Sequence, residues 1–542
     1  MTIEYRKIAS GEEARKAIIS GIDKMAETVK STLGPNGKTV IIEQNLRSPI
    51  ATKDGVTVAQ NIVLGNPMAK MGADILKEVA NNANNQVGDG TTTATVMVQA
   101  LLKALNEIPS SSNMSNIRKG MEDANNEIQR LLIKKSIDIR KRKDPFSWMA
   151  SIAAVSSNHD KEIVDKVIEA FKHTKEQGAI KVDLGKKHYT TVHKTEGLIY
   201  DVGMVSANFA NNAKKTVGNY EDAYVFLTDM VLDNINPLQE IFEKARTEQK
   251  PILVMASDFT EPAMMTFYRM KDMYGVKVVC VKAPGFGSQK EETLKDIGYV
   301  TGAKPFLKGQ GIEMEEISGY DPEEFLGKAD RITAGLHDLA IIGGKGGKDA
   351  IEGRIEYLKE KMAEEEDGYL KDQLSGRIAK LTDGVAVIFV GAHTEFDAQE
   401  KKDRYVDAVK AVKAAMKAGV VPGGGVALLE IADVLENNYK RQMVNDFDIG
   451  FWAVVDAIKQ PWRQILINAE LDPEEFYPQI LKSKFKKGYN VLTQKFENFI
   501  NSGIIDPTLV PSLSVNNAVS IVGTLVSTAH VIYNFTGEEE NY

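Results

Sequence analysis

The order of helical and strand-like patterns constrains the fold of this chain more than any other feature. In the segment 11–32 the apolar residues recur at spacings of 4, 3 and 4, which predicts an amphipathic helix: Ile18, Ile22, Met25 and Val29. The middle of the chain instead carries short β-rich apolar runs, at 223–227, 251–256 and 276–281. After a last such run at 385–390 the pattern is mostly helical to about residue 531. We therefore expect an α/β domain inserted into a helical domain that both ends of the chain build.

Length and composition limit the class of protein. A chain of 542 residues is too long for one core, so about two to four domains are expected. The net charge of −8, without a concentrated basic stripe, argues against nucleic acid as the main ligand. The single cysteine, Cys280, excludes an intramolecular disulfide and fits a reducing compartment. Neither a signal-peptide pattern nor a run near the roughly 20 apolar residues of a membrane span is evident, so we expect a cytosolic protein without membrane contact.

The motif Gly88-Asp89-Gly90-Thr91-Thr92-Thr93 precedes an apolar helix and indicates phosphate binding. A helix N-terminus offers unpaired N–H groups to a phosphate, glycines let the backbone approach closely, and hydroxyls add donors. Asp89 is suited to Mg²⁺, which prefers oxygen ligands. The alternative is an ordinary N-capped helix with additional threonines, and the six residues taken together favour the phosphate site.

Several further motifs occur in a fixed order along the chain. These are Thr32-Leu33-Gly34-Pro35, Thr52-Lys53-Asp54-Gly55, Lys282-Ala283-Pro284-Gly285-Phe286-Gly287, Gly423-Gly424-Gly425-Val426-Ala427-Leu428, Gly488-Tyr489-Asn490 and Gly503-Ile504-Ile505-Asp506-Pro507. With the 88–93 motif, this set closely resembles the group I chaperonins, the bacterial GroEL and organellar family, from about residue 5 to residue 530. Departures from the family pattern, such as Val406 in place of a frequent second aspartate, indicate a divergent member, with a phage-encoded one as a candidate source.

The resemblance implies a multidomain, mainly α chaperonin fold with an inserted α/β apical domain. Segments 1–138 and 418–542 would form the helical equatorial domain, 139–195 and 386–417 the intermediate hinge domain, and 196–385 the apical substrate-binding domain. Within the last, two long polar helices are predicted at about 348–366 and 368–380, with little core of their own.

The resemblance also implies an ATPase site. Asp407 would orient the attacking water, with Asp54 as a second carboxylate for water or metal, and Asp89 would hold Mg²⁺. The nucleotide-binding residues would be Leu33, Gly34, Pro35, Lys53, Gly88, Asp89, Gly90, Thr91, Thr92, Thr93, Gly424, Asn490, Ile504 and Asp506. The implied cofactors are ATP and Mg²⁺, with K⁺ as a further candidate.

Two predicted helices, about 237–245 and 261–273, would bind substrate. The apolar or aromatic residues carried over to this groove are Met204, Phe209, Phe242, Met264 and Tyr268. Asn208, Gln239 and Arg269 are polar where the family usually has apolar residues, so co-chaperonin recognition is left open.

The implied function is that of an ATP-dependent molecular chaperone. It would bind non-native polypeptides in the cavity of a homo-oligomeric ring, of roughly seven subunits, and promote folding through ATP hydrolysis. Glu474 and Glu475 replace a small polar and an apolar residue at the ring-stacking surface, so like charges would meet there. This predicts a weaker double ring or a single ring, with Arg463 offsetting part of the repulsion. The expected location is the cytosol of a bacterium, or of the host if the chain is viral. The alternative function is a nucleotide-independent holdase.

Overall fold

The helices and strands follow the predicted patterns closely. The computed structural model describes residues 5–44, 47–106, 112–174, 179–185, 187–195, 197–212, 215–311, 313–439, 441–442, 444–483, 485 and 487–535. The α-helices are α1 Gly11–Lys30, α2 Gly55–Asn61, α3 Pro67–Val87, α4 Thr91–Asn106, α5 Met114–Lys135, α6 Pro145–Ser156, α7 Lys161–Thr174, α8 Gln239–Thr247, α9 Glu261–Tyr274, α10 Ser288–Thr301, α11 Pro322–Phe325, α12 Lys348–Glu364, α13 Gly368–Asp383, α14 Glu395–Ala418, α15 Val426–Asn438, α16 Asp446–Ala457, α17 Gln460–Asn468, α18 Pro473–Lys482 and α19 Leu509–Ser527. The strands are β1 Tyr5–Ser10, β2 Val40–Gln44, β3 Arg47–Thr52, β4 Ala179–Leu184, β5 Thr191–Thr195, β6 Gly197–Tyr200, β7 Gly218–Leu227, β8 Val231–Leu232, β9 Ile252–Ala256, β10 Asp258–Phe259, β11 Val278–Lys282, β12 Gly327–Ala334, β13 Leu339–Gly344, β14 Val385–Val390, β15 Val420–Pro422, β16 Gly488–Asn490, β17 Lys495–Glu497, β18 Ile505–Pro507 and β19 His530–Phe535.

The chain divides into two compact units. Unit 1 comprises residues 1–168 and 403–542, and unit 2 comprises residues 169–402. The middle of the chain is therefore inserted into a unit that both ends build, as the order of sequence patterns predicts. The finer division into five segments, with boundaries at 138, 195, 385 and 417, stays a prediction.

Unit 1 is mainly helical, and its first and last strands, β1 and β19, pair with each other. The side chains of α1 that the spacing selects, Ile18, Ile22, Met25 and Val29, are all buried in its core. Helices α4, α5, α16 and α19 pack against one another in the same core. Strand β1 pairs antiparallel with β19, so the two ends of the chain form one ladder.

Helix α19 has the length and hydropathy of a membrane span, which the sequence patterns did not indicate. More than half of its apolar window is buried inside unit 1, where Val515, Val519 and Val522 belong to the core. A core helix with such burial passes the same test of length and composition, so α19 is weak evidence for a membrane.

Unit 2 contains a six-stranded sheet in the order β11-β9-β7-β12-β13-β6. Strands β11, β9 and β7 are parallel and are connected through α8 and α9, whereas β12, β13 and β6 pair antiparallel. Strand β9 is buried at every position, the pattern of a parallel strand covered on both faces. A separate three-stranded sheet has the order β4-β14-β5.

The hairpin of α12 and α13 has more interior contact than the sequence patterns predict. Arg354 of α12 and Arg377 of α13 both bind the carboxylate of Asp296 on α10, at 2.8 and 2.7 Å, and Arg354 also binds Glu292 at 2.7 Å. Asp296 is only 3% exposed. Although burial opposes the shift, the hydrogen bond from Arg354 lowers the pKa of Glu292 to about 2. This interior contact is ionic, and Leu358 is the one buried apolar side chain among the described residues of α12 and α13, so the hairpin has little apolar core of its own, as predicted.

Candidate functional site

The 88–93 motif forms a tight loop that leads directly into α4. Gly88 and Gly90 have φ angles of +74° and +88°, a conformation that other residues adopt at a cost. The Ala94 N–H donates to the Gly90 carbonyl at 2.9 Å and begins the first helical turn. A Cβ on Gly90 would lie 3.0 Å from Val510 Cγ1 and 3.1 Å from Ser514 Oγ. Glycine is therefore needed both for the backbone conformation and for the close packing of α19.

The three threonines of the motif have different surroundings. Thr91 is buried and its hydroxyl donates to the Ala80 carbonyl at 3.2 Å, so this hydroxyl ties α4 to α3. Thr92 and Thr93 are partly exposed at the start of α4. The Thr92 hydroxyl contacts the position that a Cβ would occupy on Gly55. This contact brings the predicted 52–55 motif against the start of α4.

Asp54 has a local structural role at this place. Its carboxylate caps α2, accepting from the Val56 N–H at 3.2 Å, the Thr57 N–H at 2.8 Å and the Thr57 hydroxyl at 2.6 Å. A side chain that is held in this way has a defined direction. The preceding residue, Lys53, is exposed.

The pKa values of Asp89 and Asp407 are both raised by burial and by the charge of Asp54. Burial raises the pKa of Asp407 to about 8, and the charges of Asp54 and Asp89 add to the shift while Lys410 opposes it. Burial also raises the pKa of Asp89, against a 2.6 Å hydrogen bond from the Gly90 N–H, and the charge of Asp54 raises it further. These three carboxylates therefore concentrate negative charge beside the start of α4.

A cation fits this concentration of carboxylates, but not as a cage of protein ligands. Within the described ranges, no three His, Cys, Asp or Glu side chains form a group that could hold a metal ion. Mg²⁺ is commonly bound by one or two carboxylates together with phosphate oxygens and water. Asp89, beside the helix start where phosphate binding is predicted, is consistent with that arrangement.

A second part of the site lies where β15 and β18 pair. Asp506 on β18 is opposite Val421, and its carboxylate accepts a hydrogen bond from the Gly424 N–H. Burial raises the pKa of Asp506 to about 7, with a further contribution from the charge of Asp89 and opposition from that hydrogen bond. A Cβ on Gly423 would lie 2.8 Å from Asp506 Oδ1, so glycine leaves the room for this carboxylate.

A cavity of about 210 Å³ adjoins these strands. It is lined by Pro422, Val426, Phe485, Gly488, Asn498, Phe499 and Ile500. Ile504 is half-buried in the neighbouring apolar cluster, and its carbonyl accepts from the Gly423 N–H at 3.0 Å. The lining is apolar apart from Asn498, and none of the predicted nucleotide-binding residues belongs to it.

Asn490 is engaged by its own hairpin. Its Oδ1 accepts from the Leu492 N–H at 2.9 Å, and its Nδ2 donates to Glu497 at 3.4 Å. To bind a ligand directly, Asn490 would have to use a donor or acceptor position of its amide that these hydrogen bonds leave open.

The 33–35 turn is held by a residue that sequence reasoning did not assign to the site. Asn468, at the end of α17, donates from Nδ2 to the carbonyls of Lys30 and Leu33, each at 2.9 Å. The sequence offered no signal for this contact. Lys30 and Leu33 are more than 430 positions from Asn468, and they take part only through their backbone carbonyls.

The predicted substrate-binding residues in unit 2 differ strongly in exposure. Met204, Phe209 and Phe242 are buried in the core of the sheet, at 5%, 0% and 2%. Met264 and Tyr268 are partly buried against that core. The apolar surface that α9 exposes is instead that of Met265, Met273 and Tyr274. Substrate binding by the first three stays a prediction, and in this structure their side chains serve packing.

Comparison with known proteins gives a consistent result. A model of the TCP-1/cpn60 chaperonin family matches residues 25–535. The fold is similar to that of the chaperonin gp146 from the bacteriophage EL 2 (Pseudomonas aeruginosa), whose structure was solved in the presence of ATP-BeFx in two crystal forms. For form II the TM-score is 0.73 at 20% identity, and for form I it is 0.64 at 21% identity. Each similarity covers 98% of this chain and 99% of the other.

Proposed function

This chain belongs to the TCP-1/cpn60 chaperonin family and is an ATP-dependent chaperonin, and we propose that unit 1 hydrolyses ATP with Asp407 orienting the attacking water. The observation that carries the proposal is the meeting of α14 with the phosphate loop. A Cβ on Gly88 would lie 3.1 Å from the Cα of Asp407. The carboxylate predicted for hydrolysis therefore projects from a helix that packs directly on the loop predicted to bind phosphate.

Each residue of the site has a separate task in this proposal. The N–H groups at the start of α4, with the hydroxyls of Thr92 and Thr93, bind the phosphate oxygens. Asp89 holds Mg²⁺, which would neutralise charge on the phosphates and on the carboxylates. Asp407 accepts a hydrogen bond from the water, and this requires its ionised form.

The remaining contacts orient the nucleoside. Asp506 accepts from the ribose hydroxyls, since a carboxylate can take two hydrogen bonds from adjacent donors. Gly424 and Ile504 lie beside the base. The Leu33–Pro35 turn closes the other side, and K⁺ is a further candidate ion near the phosphates.

Hydrolysis is coupled to protein folding in this proposal. Non-native polypeptides bind to the exposed apolar surface of α9, and rings of roughly seven subunits enclose them. The polar residues Asn208, Gln239 and Arg269 leave a co-chaperonin as an additional candidate partner. We place the protein in the cytosol of a bacterium or, if the chain is viral, of its host.

The proposal is tested by phosphate release. Asp407→Asn keeps the shape of the side chain but removes its charge, and we expect release to fall by about a hundredfold or more. The matched control is Asp397→Asn, which removes an exposed carboxylate earlier on α14 and should leave the rate unchanged. Equal rates for Asp407→Asn and the wild type would refute the assignment.

A nucleotide-independent holdase is not favoured by these observations. Such a protein would need the exposed surface of α9 but neither Asp407 nor Asp89. Wild-type protein that captures unfolded chains equally well with and without ATP, and releases no phosphate, would favour that alternative.

A further inference from the structure

We propose that Asn468 is a positioning residue for the nucleotide, because its side chain fixes the turn that contains Leu33, Gly34 and Pro35. This proposal rests on the proposed function, in which that turn contacts the nucleotide. Asn468 itself contacts only protein, so it would act through the turn.

Both side-chain donors of Asn468 are used. The residue is only 8% exposed, and its Nδ2 donates to the carbonyl of Lys30, the last residue of α1, and to that of Leu33 just beyond the helix. Carbonyls at the end of a helix have no partner within the helix. The Lys30 carbonyl also accepts from the Leu33 N–H at 3.2 Å, so Asn468 is a second donor to it. The Asn468 Oδ1 in turn accepts from Gln464 Nε2 at 2.8 Å, which sets the orientation of the amide.

The helix that carries Asn468 also packs on the turn itself. Gly34 has a φ of +82°, and a Cβ on it would lie 3.2 Å from the side chain of Ile465. One turn earlier on α17, the N atom of Trp462 lies 2.8 Å from the position of a Cβ on Gly425. One face of α17 thus supports both the Leu33–Pro35 turn and the glycine loop beside Asp506.

The other hydrogen bonds of the turn are local. They run from the Leu33 N–H to Lys30 at 3.2 Å, from the Gly37 N–H to Gly34 at 3.0 Å and from the Lys38 N–H to Ser31 at 2.8 Å. These bonds define the local shape of the turn but not its position relative to β15 and β18. The two bonds from Asn468 and the contact with Ile465 supply that position.

Asn468→Asp tests the proposal because a carboxylate has the same shape, cannot donate and repels both carbonyls. We expect the Kd for ATP and for ADP to rise about tenfold, while kcat at saturating ATP stays within about twofold. Hydrogen exchange at the amides of Gly37 and Lys38 should become faster without nucleotide. The matched control, Asn116→Asp, places the same charge on an exposed position of α5 and should change neither property.

The outcomes separate this proposal from the proposed function. Unchanged affinity with unchanged exchange, or an equal loss of kcat without a change in affinity, would overturn the positioning role. If the wild type binds no nucleotide, the proposed function fails, and exchange at Gly37 and Lys38 still decides whether Asn468 holds the turn. If Asn468→Asp does not fold, as circular dichroism would show, Asn468→Ala decides, with the same changes expected to a smaller extent.

Discussion

Gly88 and Lys410 lie so close together that a Cβ on Gly88 would be 2.7 Å from the Cβ of Lys410. The backbone of the phosphate loop is therefore in contact with α14 one turn after Asp407. Neither surface can move toward the other without a clash, because protein interiors are close-packed. The separation between Asp89 and Asp407, the carboxylates proposed to bind the metal and to orient the water, thus depends on a glycine that has neither role.

Gly88→Ala should consequently impair both stability and turnover. The substitution combines a left-handed φ of +74° with contact to Lys410, and the expected loss of stability is about 1–3 kcal/mol. Phosphate release should fall as the loop moves. Gly275→Ala is the control, since Gly275 has a similar φ but open space around it and should not affect release. Normal release by Gly88→Ala would show that the contact is unimportant.

The pH dependence of stability should reveal the environment of Asp407. An aspartate has a pKa of about 3.9 in an unfolded chain, whereas burial raises that of Asp407 to about 8 in the folded protein. Between these values the unfolded state has released the proton that the folded state retains, so stability falls as pH rises and levels off above pH 8. Urea unfolding of nucleotide-free protein at pH 5 and pH 8 should show a smaller decrease for Asp407→Asn than for the wild type. Parallel decreases in the two proteins would contradict this account.

Nucleotide affinity should depend on the ionisation of Asp506. Its pKa is raised to about 7, so the carboxylate gains a proton and loses acceptor capacity as pH falls through 7. The Kd for ATP should therefore increase below pH 7, and Asp506→Asn should raise it about tenfold at pH 8. Isothermal titration between pH 6 and 8 checks both effects. An Asp506→Asn profile with the wild-type pH dependence would assign that dependence to another group.

Exposed and buried residues of unit 2 should respond differently to substitution. Met265→Ser with Met273→Ser removes apolar surface that is 50% and 73% exposed, so capture of an unfolded protein should weaken at unchanged stability. Phe242→Ser should instead destabilise the unit by about 3–5 kcal/mol, because the ring is buried. Tyr357→Ser on α12 is the control for surface changes. Unaltered capture by the double methionine variant would exclude α9 as the contact surface.

Ring association should depend on charge at α18. Arg463 forms an ion pair with Glu474 at 2.6 Å within the same chain, and Glu475 is also exposed there. We expect double rings to become more abundant in sedimentation as salt rises, since salt screens like charges between facing subunits. Glu474→Ser with Glu475→Val should have the same effect at low salt, and Glu366→Ser in unit 2 should not. A stable double ring at every salt concentration would refute the predicted weakness.

Local patterns predicted the elements well because an element shows either a periodic apolar face, as in α1, or a short continuous apolar run, as in β9. The spacing in 11–32 corresponds to α1, and the run 385–390 corresponds to β14 at both ends. Periodicity cannot tell a core face from a binding face, so Phe242 was expected in a groove and lies in the core. The ionic contacts of Arg354 were missed because charged residues on a helix usually indicate solvent.

The phosphate part of the site followed from the 88–93 motif itself, whereas the other carboxylates were assigned to the site only through the family resemblance. Asp54, Asp89, Asp407 and Asp506 are separated by up to about 450 positions, and no local spacing connects them. The hydrogen bonds from Asn468 to the carbonyls of Lys30 and Leu33 were not predictable even with the resemblance, because they join a side chain to backbone atoms. A single sequence carries no pattern for such a contact.

The pairing of β1 with β19 has a consequence for biosynthesis. Tyr5 is opposite Phe535, so β1 has no partner strand until residues about 520 to 530 positions further along the chain have been synthesised. Unit 2 is continuous in sequence and can complete its sheets while synthesis continues. Until then, the apolar faces of α4 and α5 are not covered by α16 and α19, which pack on them in the folded unit. The N-terminal part of unit 1 is therefore itself exposed to aggregation until α16, α19 and β19 have been synthesised.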